Sequence, residues 1–354
     1  MKNNVRLSIA VSLLTLLCAA TVASSLVQST QSTNAFGQKP LPAPARWHGL
    51  IGEYGSDNDL LLIFEKDGKL CALFNQGDRE PLQEISRNTF NFSELGSRAG
   101  QSLTFFRDAR GRTNPVDFSG KVFKRRVLGP EQGKTQLLVR PVHPVAELIK
   151  KALAAQPPEE IGEFLAPDLV EVKKLDPTIR LDIRYATTNN LFGTVFYSEP
   201  RAFLQRPAAE ALVRINTRLK KLGYVLLVHD AYRPWYVTKV FWDATPEDKK
   251  VFVADPSKGS RHNRGAAVDL TLYDLRTRRP VEMVSTYDET TQRAYPDYPG
   301  GTSLQRWHRD LLRTMMEADG FKVYEAEWWH FDYNDWRKYP IGNQPFERLG
   351  VAQS

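Results

Sequence analysis

The chain changes its hydrophobic pattern once along its length, and this change constrains its fold more than any other feature. From about residue 47 to residue 138, short apolar runs alternate with turn signals, as in Leu60–Phe64, the turn Lys66–Lys69 and the run Leu70–Phe74. Turns containing Asp-Gly or Arg-Gly between apolar runs are typical of β-hairpins. The pattern therefore predicts a small antiparallel barrel or sandwich over residues 40–140, which we interpret as an accessory β domain.

After residue 140 the pattern becomes mixed. Val145–Ala155 predicts a helix within a connector over residues 141–164. Beyond the connector, stretches with apolar residues at helical spacing alternate with strand-like runs. The predicted helices are Ala208–Leu222 and Ser303–Ala318, and the predicted strands are Tyr224–Val228, Ala266–Leu272 and Phe321–Tyr333. This order predicts an α+β domain over residues 165–345.

The first 35 residues have the composition of a targeting segment. Lys2 and Arg6 precede an uncharged, mostly apolar stretch, Leu7–Val27, and small and polar residues follow it. This arrangement is typical of a secretory signal peptide with a polar spacer, and it predicts a periplasmic or secreted protein. The apolar stretch is just long enough to span a bilayer, so an uncleaved membrane anchor is the alternative.

The charge pattern argues against a nucleic-acid-binding protein, and the cysteine content excludes a disulfide-rich or cysteine-zinc protein. The 48 Lys and Arg exceed the 41 Asp and Glu by seven, and they are scattered in short clusters such as Lys124–Arg126. Without a basic helix or an aromatic stacking platform, we expect no nucleic-acid partner. The two cysteines, Cys18 and Cys71, cannot build a disulfide framework or a cysteine-based zinc site. Any metal must therefore be held by His and carboxylates, and Cys71 is expected to be buried and inert.

The first stretch with chemical potential is Ser260–Asp269. It places His262 and Asp269 seven residues apart, with Gly265 between them to permit a tight turn. A neutral imidazole and a carboxylate are both good ligands for Zn²⁺. Asp269 lies inside an apolar strand pattern, where a carboxylate is costly to bury unless it is paired or bound to metal. A buried Asp that accepts hydrogen bonds from a local turn is the alternative.

The second stretch, Glu327–Phe331, adds another His and another carboxylate inside an aromatic run. Together with His262 and Asp269, His330 would complete three protein ligands and leave a fourth position for water, as in catalytic zinc sites. Glu327 could then be the general base. In a regular strand, however, Glu327 and His330 point to opposite faces, so the segment must twist, bulge or turn. A sheet core with a capped His is the alternative.

The third stretch, His229–Pro234, follows a predicted strand. Pro234 ends the strand and places Arg233 at its terminus, where functional residues often collect. An Arg guanidinium suits a developing oxyanion or a terminal carboxylate. The alternative for Arg233 is a surface salt bridge. We treat the remaining histidines as structural, and they are His48, His143, His229 and His308.

Together the three stretches resemble the zinc D,D-peptidases of the hedgehog-like D,D-metallopeptidase fold. Within that group the sequence is most similar to the D-alanyl-D-alanine dipeptidase family. The finer likeness rests on Asp230–Pro234, on the run Ser260–Tyr273 and on Glu327–His330, with Arg184–Asn190 as a further similar element. The resemblance implies a fold class of α+β, with a zinc D,D-peptidase domain preceded by the small antiparallel β domain.

The resemblance also implies roles for individual residues. One Zn²⁺ per chain would be held by His262, Asp269 and His330. Glu327 would be the base that removes a proton from a metal-activated water, and Arg233 would stabilise the tetrahedral intermediate. Three more residues match positions near the substrate, and they are Ser260, Asp230 and Tyr185.

The implied substrate is the small dipeptide D-Ala-D-Ala, cut to two D-Ala, with peptidoglycan as a further partner. In an exported bacterial protein, this activity would serve cell-wall turnover or dipeptide scavenging. A D,D-carboxypeptidase that trims peptidoglycan stems is the alternative within the fold, and a non-catalytic wall-binding protein is the alternative outside the enzymes. The segment Thr290–Gly301 departs from the family pattern and is expected to reshape the pocket rim.

Overall fold

A computed structural model describes residues 37–75, 77–128 and 139–349. The described residues from Pro42 onward form one compact unit, and residues 37–41 before it contain no helix or strand. The predicted signal peptide over residues 1–35 lies outside the described residues. Among the helices that are described, none is long and apolar enough to cross a membrane.

The N-terminal part of this unit is an eight-stranded antiparallel sheet in which each strand pairs with the next along the chain. Its strands are β1 (Gly52–Ser56), β2 (Asp59–Lys66), β3 (Lys69–Phe74), β4 (Arg79–Glu84), β5 (Thr89–Phe92), β6 (Ser102–Arg107), β7 (Thr113–Phe118) and β8 (Lys121–Phe123). A bridge between Tyr54 and Arg125 joins the first strand to the chain that follows the eighth. The sheet therefore nearly closes on itself. Of the two predicted forms, barrel and sandwich, the structure is closer to the barrel.

Local chemistry explains these hairpins. Asp67 and Gly68, which link β2 to β3, both have positive φ angles of 51° and 76°, as a two-residue hairpin turn requires. Alternate residues then point into a closed apolar core. Its aromatic members are Trp47, Tyr54, Phe90, Phe92, Phe105 and Phe123. The free Cys71 is buried, as expected, and burial raises the pKa of its thiol.

The C-terminal half mixes helices and strands. The helices are α1 (Val145–Ala154), α2 (Val172–Leu175), α3 (Arg206–Lys221), α4 (Trp235–Ala244) and α5 (Ser303–Glu317). The strands are β9 (Leu169–Glu171), β10 (Arg180–Leu181), β11 (Phe203–Gln205), β12 (Tyr224–Asp230), β13 (Ala267–Asp274), β14 (Arg279–Pro280), β15 (Phe321–Tyr324) and β16 (Glu327–Tyr333). The main sheet has the order β10-β12-β13-β16-β15, with β14 added to β13, while β9 and β11 pair separately.

The α+β prediction is confirmed, with one wrong element. The three predicted helices correspond to α1, α3 and α5. The single predicted strand Phe321–Tyr333 is instead the antiparallel pair β15 and β16, because the chain turns at Glu325 and Ala326. The domain boundaries at residues 40–140, 141–164 and 165–345 stay predictions.

Strand β13 lies at the centre of the main sheet, between β12 and β16. Every residue of β12 is buried, as is nearly every residue of β13, so this part of the sheet is rigidly packed. The third stretch begins at the end of β12, the first leads into β13, and the second forms β16. The sheet order therefore gathers all three stretches of chemical interest at one place.

Candidate metal centre and active site

Cross-strand register brings the predicted metal ligands together. Asp269 on β13 lies directly opposite His330 on β16 and Asp230 on β12. Residues paired in this way have side chains within contact distance. His262 enters from a short 3-10 turn just before β13, and this turn ends at Gly265 with a φ of 65°.

The three candidate ligand atoms lie close to the spacing that is found around a zinc ion. The Nε2 atom of His262 lies 3.1 Å from Nδ1 of His330 and 3.4 Å from Oδ1 of Asp269. The last two atoms are 2.9 Å apart. Ligand atoms about 2.0–2.2 Å from a tetrahedral zinc stand roughly 3.3–3.5 Å from one another. The residues therefore fit a metal, and they are the group of potential ligands found among the described residues.

The outer atoms of the same side chains are held by neighbours. His262 Nδ1 lies 2.7 Å from the carbonyl oxygen of Ala231, which can only accept, so Nδ1 carries the proton and Nε2 faces inward. His330 Nε2 lies 3.1 Å from a carboxylate oxygen of Asp332. Partners of this kind fix the ring orientation of metal-ligating histidines. The two rings are therefore supported in the way that is common for metal-ligating histidines.

The charges of the group also favour a cation. Burial alone would lower the pKa of His330, but its hydrogen bonds with Asp269 and Asp332 outweigh burial and raise the pKa to about 10. Burial opposes ionisation of Asp269 too, yet the two histidines hold the pKa of its carboxyl well below the usual value. A carboxylate between two imidazoles therefore favours a cation at this place, either a proton on His330 or a metal ion.

A bulge removes the geometric difficulty with Glu327. The β15–β16 pairing passes from Val323 opposite Phe331 to Tyr324 opposite Glu327, so β16 has three residues where β15 has none. As a result, Glu327 Oε2 lies 3.9 Å from His330 Nδ1, on the same side as the ligands. Its side chain remains 35% exposed. Burial raises the pKa of the Glu327 carboxyl, His330 opposes this, and Asp269 adds to it.

Arg233 is buried beside the ligand group, and its guanidinium is fixed on two sides. Its Nε and Nη2 atoms donate to one oxygen of Asp230 at 3.0 and 2.7 Å. The guanidinium lies 5.1 Å over the ring of Tyr185 and 4.9 Å from that of Phe241. The surface salt bridge considered from sequence is therefore wrong for Arg233, whose side chain is only 10% exposed.

The three residues predicted near the substrate have different surroundings. Asp230 is 1% exposed and bonds to Arg233 and to the Tyr197 hydroxyl, so the described contacts make it a support for Arg233. Ser260 caps the 3-10 turn, where its oxygen accepts from the His262 N–H at 3.3 Å. Tyr185 is buried under the Arg233 guanidinium, and its hydroxyl bonds to another residue of the site, Asp288.

That further residue, Asp288, and its neighbour Tyr287 were missed by sequence reasoning. The Tyr185 hydroxyl donates to Asp288 at 3.0 Å, and the Tyr287 hydroxyl donates to Asp269 at 2.9 Å. Burial, together with the Asp269 and Glu327 carboxylates, raises the pKa of Asp288 to about 8. No motif marks this segment in the sequence.

Asp332 was also missed, although a signal for it exists. It follows His330 by two residues, and in a strand such residues share a face. The predicted structural role of His229 agrees with its contacts, since it bonds to the Asp182 carbonyl at 3.2 Å and stacks on Tyr287. His308 likewise bonds to the Tyr224 hydroxyl at 3.0 Å.

Comparison with known proteins gives the same family as the motifs. The family model of peptidase family M15, described as D-Ala-D-Ala dipeptidase, matches residues 166–347, just over half of the chain. The D-alanyl-D-alanine dipeptidase of Escherichia coli (strain K12) is 31% identical over 49% of this chain and 89% of its own length. The D-alanyl-D-alanine dipeptidase of Enterococcus faecalis is 34% identical over 44% and 87%.

A third relative, the D-alanyl-D-alanine dipeptidase of Synechocystis, is 29% identical over 52% of this chain and 87% of its own length. Among solved structures, the LdcB LD-carboxypeptidase aligns with a TM-score of 0.29 and 20% identity over 52% of this chain and 72% of its own. That alignment is too distant to add to the assignment. The chain belongs to the D-Ala-D-Ala dipeptidase family of M15 peptidases.

Proposed function

We propose that the protein is a zinc-dependent D,D-dipeptidase that hydrolyses D-Ala-D-Ala to two D-Ala. The observation that carries the proposal is the close set of His262, Asp269 and His330, near the spacing of tetrahedral ligands, with the Glu327 carboxylate 3.9 Å from His330. A binding protein that had kept only the fold would have no use for Glu327 in that position. The wall-binding alternative is therefore disfavoured.

Each residue has a task that its surroundings support. A zinc ion held by the three ligands would act as a Lewis acid on the peptide carbonyl and lower the pKa of a water molecule. Glu327 takes a proton from that water and later delivers it to the leaving amine. A carboxyl with a raised pKa is suited to both transfers. Arg233, held by Asp230, meets the negative charge that develops on the carbonyl oxygen.

Asp288 supports a dipeptide over a longer substrate. Its carboxyl is crowded by the carboxylates of Asp269 and Glu327, which disfavour its ionisation unless a cation is near. A free dipeptide brings such a cation, its terminal ammonium. In a peptidoglycan stem the same nitrogen belongs to an uncharged amide. The D,D-carboxypeptidase alternative would leave Asp288 without this partner.

For location and role, we propose export to the periplasm or the medium, with the dipeptide drawn from cell-wall turnover or scavenging. The support is the charged, apolar and small-residue order of the first 35 residues. If that segment is cleaved, no membrane association is expected.

The test is to purify the chain from about residue 36 and to measure zinc by mass spectrometry and D-Ala release by a coupled assay. We expect about one zinc per chain. Release from D-Ala-D-Ala should exceed release from a stem pentapeptide and from N-acetyl-D-Ala-D-Ala, which lacks the ammonium. A metal-free protein would contradict the zinc site. A preference for the pentapeptide would instead favour the carboxypeptidase.

A further inference from the structure

Residues 285–301 lie between β14 and α5. The first part of this segment contacts residues of the candidate active site. Near its start, the Tyr287 hydroxyl donates to Asp269 at 2.9 Å. Directly after it, Asp288 accepts a hydrogen bond from Tyr185 at 3.0 Å. Under the proposed function, Asp288 is the carboxylate that would face the ammonium of the dipeptide, and Tyr287 lies beside it. The position of this segment therefore decides the shape of the site.

The later part of the same segment contacts the N-terminal sheet. The buried Tyr298 hydroxyl donates to Glu53 on β1 at 2.8 Å. Three residues later, the Gly301 carbonyl accepts from the backbone N–H of Glu65 on β2 at 3.0 Å. Glu53 is itself 6% exposed and paired with Arg126 at 3.3 Å. The part of the segment that departs from the family pattern, Thr290–Gly301, is thus the part that contacts the sheet.

The end of the segment is anchored to the sheet as well. The carboxylate of Glu65 accepts from the Ser303 N–H at 2.7 Å and from the Ser303 hydroxyl at 3.1 Å, at the first turn of α5. A carboxylate at that end of a helix is favourable. Arg306 on the same helix donates to the carbonyls of Glu65 and Gly300 at 2.7 and 2.9 Å. The sheet, the helix and the segment are therefore tied at several points.

Ten residues before Tyr298, the backbone of the segment takes an uncommon conformation. Asp288 has a φ of 59°, in the left-handed region that residues other than glycine seldom adopt. The next residue, Glu289, is buried and forms an ion pair with Arg293 at 3.1 Å. A conformation of this kind persists when the surrounding structure holds it.

We propose that the N-terminal sheet is a positioning element of the active site, which holds segment 285–301 through Glu53 and Glu65 so that Tyr287 and Asp288 face the substrate. The sheet, at residues 52–123, lies outside the part of the chain that matches the family model. It would thus set the fit for the amino end of the dipeptide. This inference rests on the proposed function for the identity of the substrate, although not for the contacts themselves.

The first test compares Glu53→Ala and Tyr298→Phe with the wild type. Each removes the Tyr298–Glu53 hydrogen bond and leaves the metal ligands and Glu327 in place. We expect KM for D-Ala-D-Ala to rise about 10-fold, which corresponds to 1.4 kcal/mol, while kcat and zinc content stay near wild type. Glu53→Gln keeps an oxygen that accepts from Tyr298, so its KM should return toward the wild-type value.

The matched control is Glu84→Ala on β4 of the same sheet. Glu84 pairs with Arg46 and Trp47, within the N-terminal region. KM should be unchanged in this variant. An equal rise in KM for Glu84→Ala, or no rescue by Glu53→Gln, would show a general loss of stability and overturn the proposal.

A second readout does not depend on activity. Hydrogen exchange of the peptide containing residues 285–289 should become faster in Glu53→Ala, while the peptides with residues 262–269 and 327–333 keep the wild-type rates. Unchanged exchange at residues 285–289 would overturn the positioning role. If exchange responds as expected and the wild-type protein does not cleave D-Ala-D-Ala, the proposed function fails while the positioning role stands.

Discussion

Carboxylates are buried both in the N-terminal sheet and in the candidate active site, but the number of hydrogen bonds that they accept differs. In the N-terminal sheet, Glu65 is 2% exposed and accepts three hydrogen bonds, from Gly68 and from the N–H and hydroxyl of Ser303. In the candidate active site, Glu327 lies within 4 Å of a charged partner, His330, and the described residues give it no hydrogen bond. Asp288 has one donor, Tyr185, and two carboxylates nearby.

The difference separates carboxylates that stabilise the fold from carboxylates whose charge or proton is available for catalysis. A carboxylate with several donors has exchanged water for protein hydrogen bonds and is stable in place. A carboxylate that lacks donors and faces other acids favours a cation or a proton. The contrast therefore predicts that removing an acid from the N-terminal sheet will lower stability or raise KM without changing zinc content or kcat. Removing an acid from the candidate active site will instead change metal binding or kcat.

The largest effect is expected for Glu327→Gln. The amide cannot take or deliver a proton, so kcat should fall roughly 10²–10⁴-fold. Zinc content should not change, because the three ligands remain. The free energy of unfolding should not decrease, since Glu327 is unfavourably ionised in the folded state. Steady-state kinetics, metal analysis and urea unfolding on one preparation check all three, and a wild-type kcat would refute the assignment of the base.

The next effect concerns Asp332→Asn, which weakens the support of His330. Loss of such a carboxylate partner costs about 10–100-fold in metal affinity. The measurement is zinc affinity by chelator competition, with no substrate present. Asp335→Asn is the control, because Asp335 pairs with Lys338, away from the candidate ligands. Equal affinities of Asp332→Asn and the wild type would mean that Asp332 does not orient the ligand.

A smaller effect, on stability rather than on zinc or kcat, is expected for Glu65→Ala. It leaves the buried Ser303 N–H without its acceptor, which costs about 1–3 kcal/mol of unfolding free energy. Zinc stoichiometry should stay at the wild-type value. Urea unfolding gives the first quantity and metal analysis the second. If zinc were lost as well, the division between the two halves would be wrong.

The smallest effect is a pH dependence of the metal-free protein. The pKa of Asp288 is about 8 in the folded state and near 3.8 when unfolded. Between these values the unfolded chain releases a proton that the folded protein keeps, so this group's contribution to stability is lost as pH rises from about 4 to about 8. Asp288→Asn should therefore lose less stability than the wild type between pH 5 and pH 8. Parallel pH profiles of the two proteins would contradict the raised pKa.

The sequence predicted the parts of the site that lie in dense motifs. Asp269 and His330 stand among apolar strand residues, His262 precedes Asp269 by seven residues, and the structure brings the three together. Their roles as ligands, like those of Glu327 and Arg233, stay predictions that the experiments above address. Sequence reasoning left Glu327 with a geometric problem, because a regular strand alternates its faces and only the pairing of β15 with β16 reveals the bulge.

What the sequence alone determined is the chemistry available and the local elements that carry it. Hairpin turns and amphipathic helices are encoded by local patterns of residues along the chain. The count of two cysteines excludes a cysteine-based metal site. Only the tertiary structure placed Asp288 beside Tyr185, and Tyr298 on Glu53, 245 residues away. Such pairs carry no local signal, because a hydroxyl and a carboxylate become partners only after strands and helices have packed.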